Sequence, residues 1–195
     1  MDQQPIKNRY VEYYMLAASK IPRAGYSTLQ ELNAALSAAD LQPVSEDEVN
    51  TRVSSYMAEK AAANAVKRGI STVDGQFESK CEAFVVITTV GGSRLQVQAD
   101  AQAQLNIANA AQNFGQLQAG CLAAGLTGAH WIDSDNVLVP VTELDMQTLY
   151  ATGFRRKVSL AVAQNAAKAA LRAGVQIPET ARVVLGVDAN GVLLA

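Results

Sequence analysis

The chemistry open to this sequence turns on a few residues. His130 is its single histidine, and it stands just ahead of Trp131, Asp133, Asp135 and Asn136. One histidine cannot supply the paired imidazoles of a zinc site. As a base for a serine nucleophile it has no recognisable triad setting, and no G-x-S-x-G occurs in the chain. Asp133-Ser134-Asp135 begins like a calcium loop, but the fifth position is Val137, the sixth is Leu138 rather than glycine and the twelfth is Leu144 rather than glutamate. Asp, Ser and Asn are also what a hairpin turn uses for its own backbone hydrogen bonds, so a turn is the expected role. Trp131 beside His130 and two acids has the makings of a sugar-stacking platform. The packing alternative has Trp131 anchoring a hairpin against a long helix while His130 caps a strand end.

Other chemistries fall by counting. Cys81 and Cys121 lie 40 residues apart and belong to no C-x-x-C, so neither a zinc site nor a secreted-type disulfide framework is expected. No glycine-rich phosphate loop is present, and nothing singles out a pair of carboxylates for glycoside hydrolysis. Arg155-Arg156-Lys157 is too short to track a phosphate backbone and reads as a solvated face or a partner contact. With 16 Lys+Arg against 18 Asp+Glu, the chain carries a charge of −2, which argues against a nucleic-acid partner. The expectation is a protein with no catalytic, cofactor-binding or metal-ligating residues. The longest strongly apolar run, Ala83 to Ile87, falls far short of a membrane span. Met1-Asp2-Gln3-Gln4-Pro5 has neither the basic nor the apolar region of a signal peptide, so folding in a reducing cytoplasm is expected.

The elements that would position these residues follow from periodicity. The chain has 195 residues, 49% hydrophobic but only 6% aromatic, with 34 alanines, enough apolar material for a core. Residues 6–20 set Ile6, Tyr10, Tyr13, Tyr14 and Ala17 on one helical face, ended by Pro22. Ser27 to Ala39 is a second helix, with Thr28 and Glu31 spaced for a capping box. Ser45 and Glu48 repeat that spacing, with Val44 and Val49 as a hydrophobic staple, and this helix is expected to close at Gly69. Residues 82–90 and 93–98 flank Gly91-Gly92 as a tight hairpin, and Asp100 caps a helix carrying Ile107, Ala110, Phe114, Leu117 and Cys121, the last as a buried small hydrophobe. A second hairpin turns at Asp133 to Asn136. Thr142 then caps a helix of about 46 Å reaching Ala173, with Leu144, Val158 and Val162 on one side and Leu149, Leu160 and Leu171 nearly opposite. Such a helix needs partners on both sides. Arg182 to Val187 and Val192 to Leu194 flank Asn190-Gly191 as a third hairpin whose edge needs cover.

The stretch Leu95 to Gln104, then Trp131-Ile132-Asp133, then Asp135 to Thr142, followed by an Ala-rich helix bearing Arg155, Arg156 and Lys168, resembles a domain of unknown function found in tail-fibre and tail-associated proteins of tailed bacteriophages. The resemblance covers about residues 77–174 and implies a structural part of a phage particle, with no catalytic residues to carry over. The resulting expectation is an α+β fold: a helical N-terminal segment over 1–69, a connector over 70–76, two hairpin–helix units over 77–174 and a C-terminal hairpin over 175–195. The expected function is a non-enzymatic virion component of tail, tail fibre or baseplate. It would associate with itself and with other virion proteins, without cofactor, nucleic acid or membrane. A cytoplasmic tail-fibre assembly chaperone is the alternative, and a glycan-binding module the third.

Overall fold

A computed structural model describes residues 28–194. The helix expected over 6–20, with its tyrosines, and Ser27 lie outside the described residues. The fold is α+β, and two compact units divide between Ala65 and Val66.

In the first unit, α1 (Leu29–Ala38) is capped by Thr28, whose hydroxyl accepts from Glu31 N at 3.2 Å. Asn33 donates to the Val44 carbonyl at 2.9 Å and accepts from Val44 N at 2.7 Å, holding the link to α2 (Glu46–Glu82). Glu48 N donates to Ser45 Oγ, and Val49 and Val53 join Leu32 and Leu36 in a small core with Val44 against it, so cap and staple stand as expected. From Met57 to Ala65 every residue of α2 is exposed.

The second unit corrects the sequence reading at Gly69. That glycine does not end the helix, and residues 70–76 are helical rather than a connector, because α2 runs on to Glu82. Val66, Ile70, Val73, Phe77 and Cys81 recur at helical spacing and pack with Leu160, Ala163, Ala167 and Leu171 of α5 (Glu143–Arg172). Gly69 is a contact glycine: a Cβ there would lie 2.9 Å from the Asn190 carbonyl and 3.1 Å from Leu171 Cδ1. Across the same seam, Asp74 pairs with Lys168 and accepts from Gln164 Nε2 at 2.7 Å.

The first hairpin, β1 (Val85–Thr88) with β2 (Arg94–Val97), pairs Val85 with Val97 and Ile87 with Leu95, and all four point into the core. Its loop is longer than the glycine pair implied. Gly92 N donates to Thr89 O, and only Gly92 takes a positive φ, of 81°, so the turn spans Thr89–Gly92 with Gly91 in ordinary backbone. The next helix is two: α3 (Ala101–Gln112), capped by Asp100, and α4 (Phe114–Ala123), with a break at Asn113. The apolar stripe nevertheless survives the break, since Ile107, Ala110, Phe114 and Leu117 all reach the same core. The second hairpin, β3 (His130–Ile132) with β4 (Leu138–Pro140), sets Trp131 opposite Val139, and Ser134 N donates to Gln96 O of the first at 2.7 Å.

The third expected hairpin is mostly helix. Arg182 to Leu185 of its first strand belong to α6 (Glu179–Leu185), whose Ala181 and Leu185 bury against the Ala-rich side of α5. Of the hairpin only the bridge between Val187 and Leu193 remains.

One carboxylate ties these pieces together. Asp145, 3% exposed, accepts from Thr142 N and Thr142 Oγ1, both at 2.7 Å, completing the capping box that starts α5. Its other oxygen accepts from Val90 N in the first hairpin's loop at 2.7 Å. Burial alone would raise its pKa, but these hydrogen bonds outweigh burial and hold the carboxyl below its ordinary range.

Asp145→Ala strands the Val90 and Thr142 donors and is expected to cost about 2–4 kcal/mol in urea unfolding. A depressed folded-state pKa contributes stability that is complete above the unfolded value and lost as pH falls through the folded one. The gap between wild type and variant should therefore narrow below about pH 4. Two helical glycines should respond with opposite signs. Gly69→Ala is expected to lose about 1–3 kcal/mol by overpacking. Gly153→Ala, whose Cβ would meet nothing closer than Val85 Cγ2 at 3.8 Å, should gain about 0.5–1 kcal/mol of helix propensity. Paired denaturation curves check both.

Candidate functional site

The turn residues behave as turn residues. Asp133 Oδ1 accepts from Asp135 N at 2.9 Å and from Val137 N at 2.8 Å, while Asn136 takes a φ of 61°. The last loop repeats the device. Asp188 Oδ1 accepts from Asn190 N and Val192 N, both at 2.8 Å, and Gly191 takes a φ of 78°. The shared pattern, Asp with a left-handed residue three positions on and Val four positions on, is visible in sequence once both loops are set side by side. Among the described residues, no group of three or more His, Cys, Asp or Glu stands together to hold a metal.

Trp131 is half-buried and packs against the core cluster that contains Ile107, Val139 and Met146. His130 opens β3, with its Nδ1 3.0 Å from Gly128 O. Cys121 is half-buried rather than buried. Its sulfur accepts from His130 N at 3.4 Å and donates to His130 O at 3.7 Å, so it fastens α4 to the second hairpin. A depression of about 550 Å³ beside Trp131 is bordered by Asp133 and Asn136, both engaged in the turn, and by Ser134, whose buried Oγ has no hydrogen-bond partner among the described residues.

The two sides of α5 separate cleanly. Leu149, Leu160 and Leu171 are buried, whereas Leu144, Phe154, Val158 and Val162 are 59%, 59%, 46% and 65% exposed. Sequence reasoning named three of those four exposed residues and missed Phe154, which completes the row. The basic trio divides likewise. Arg155 is exposed, Arg156 Nη1 donates to the carbonyls of Ala83 at 3.2 Å and Phe84 at 2.7 Å, and Lys157 Nζ donates to Gln104 Oε1 at 3.1 Å.

Arg156 and Lys157 border a groove of about 430 Å³ between α3 and α5, bounded by β1 and the last turn of α2. Tyr150 and Phe154 stack along it, ring centroids 6.2 Å apart. Cys81 also lines it. Burial pushes the Cys81 thiol up, against the pull of Lys157 and Arg156 and with a smaller push from Glu82. Sequence reasoning had no means of finding this groove, because its lining is drawn from four segments spread between Cys81 and Lys157.

Among the described residues, no helix is long and apolar enough to cross a membrane. A family model described as a domain of unknown function, DUF4376, matches residues 60–189. No curated protein and no solved structure matches the chain.

The turn assignment predicts that Asp133→Ala lowers stability by about 1 kcal/mol through its two backbone partners. Millimolar calcium should leave the wild-type melting temperature unchanged in differential scanning fluorimetry.

Proposed function

The chain belongs to the DUF4376 family, and from that premise we propose that it is a non-enzymatic structural component of a tailed-bacteriophage virion, in the tail, tail fibre or baseplate. It works by associating with copies of itself and docking to neighbouring virion proteins. The phage assignment is supported by the resemblance over residues 77–174, which lie within the span that the family model covers.

The observation that carries self-association is the side of α5 that no described residue covers. Leu144, Gln147, Ala151, Phe154, Val158, Val162, Asn165, Ala169 and Arg172 recur at spacings of three and four, a seam running nearly the full length of the helix. Its spacing is symmetric about Val158. Two copies crossing antiparallel there would set Phe154 against Val162 and Ala151 against Asn165. Leu144 and Glu143 at one end would meet Arg172 at the other, so acid faces base at both ends of a self-complementary contact. Opposed helix dipoles favour the same orientation. A row of large apolar side chains left in water is costly, and a second copy removes that cost.

Sedimentation velocity of the full chain at tens of micromolar should show a dimer or larger species. Phe154→Glu with Val162→Glu should give a monomer of unchanged helicity by circular dichroism. A wild-type monomer at high concentration overturns the reading. Mass spectrometry of purified particles from cells expressing the chain should find it in stoichiometric copies. Presence in the lysate but absence from particles would instead favour an assembly chaperone.

A further inference from the structure

The groove between α3 and α5 shares Phe154 with the seam described above, but it also holds cations that the self-association does not use. Its volume of about 430 Å³ falls within the range of roughly 300–1,000 Å³ typical of small-ligand sites. Leu105, Tyr150 and Phe154 form an apolar wall that is 55%, 40% and 59% exposed. Gly153 keeps the space beside Val85 open, since a Cβ there would find nothing nearer than 3.8 Å.

Among the described residues, two cations border this trough and no carboxylate does. Arg156 is fixed in place by the carbonyls of Ala83 and Phe84, and Lys157 by the neutral amide of Gln104. Neither forms an ion pair with a carboxylate among the described residues. Both act on the Cys81 thiol, which puts the two charges near the same stretch of the groove, where each outweighs the opposing charge of Glu82. Anchored donors beside an open apolar wall are complementary to a molecule with an apolar tail and one anionic end. We propose that this groove binds an amphipathic monocarboxylate, its tail along Leu105, Tyr150 and Phe154 and its carboxylate at Arg156 and Lys157.

Cys81 lines the groove and Cys121 does not, which gives the test an internal reference. The full chain is labelled with N-ethylmaleimide while octanoate or 1-octanol is titrated, and labelling at each cysteine is followed by peptide mass spectrometry. Octanoate should slow Cys81 labelling saturably and leave Cys121 unchanged. It should act at a concentration ~10-fold lower than 1-octanol, the margin of a charge-assisted contact. Lys157→Gln, at an exposed position, should narrow octanoate's margin over the alcohol, with Arg156 keeping the remainder. Equal protection by both compounds, or none by either, overturns the proposal. So does Cys81 labelling that slows with protein concentration and ignores octanoate, since the groove would then belong to a second copy.

Discussion

The hydrogen-bond set of Asp145 is the constraint on which the second unit rests. A carboxylate buried to 3% exposure is tolerable only when its oxygens are satisfied, and here three donors from two distant segments satisfy them. Thr142 supplies the local pair that starts α5, and Val90 supplies the partner 55 residues earlier. The bond fixes the first hairpin's loop at the mouth of α5. From that point Met146 and Leu149 of α5 meet Val85, Ile87, Leu95 and Val97 of the hairpin in one core. The groove, the second hairpin and the exposed seam all take their places from that junction.

Along its length α5 makes two kinds of contact. Toward α2 and α6 it presents Ala163, Ala167 and Ala170, small enough for backbones to approach closely. Away from them it presents Phe154, Val158 and Val162, which nothing covers among the described residues. The division explains why a helix apolar on both sides does not simply disappear into a core. The alanine side closes within the chain, while the bulky side stays exposed among the described residues.

Much of this was legible from residue types. Every N-cap read from sequence within the described residues is made: Thr28, Ser45, Asp100 and Thr142 each accept from the backbone three residues on. Caps are readable because they are local, one side chain answering a donor within its own turn. The failures share the opposite cause. Gly69 carries the local mark of a helix end, but its reason lies at Asn190, far along the chain. Arg182 to Val187 is β-branched enough for a strand, yet Ala181 and Leu185 at helical spacing find a ready surface on α5. Asn113 interrupts a helix whose apolar stripe runs on unbroken through Phe114 and Leu117. The groove was invisible for the same reason, since it exists only after α3 and α5 are packed.

The touch between Gly69 and Gly191, whose Cβ would come within 3.0 Å of Gly69 Cα, also has a bearing on biosynthesis. Roughly 120 residues separate the two, and a ribosome adding about 5–20 residues per second needs on the order of ten seconds to cover that distance. Throughout that interval the nascent α2 shows an unfinished notch at Gly69. The loop that fills it is translated about 120 residues later, so this unit closes only after that stretch has been made.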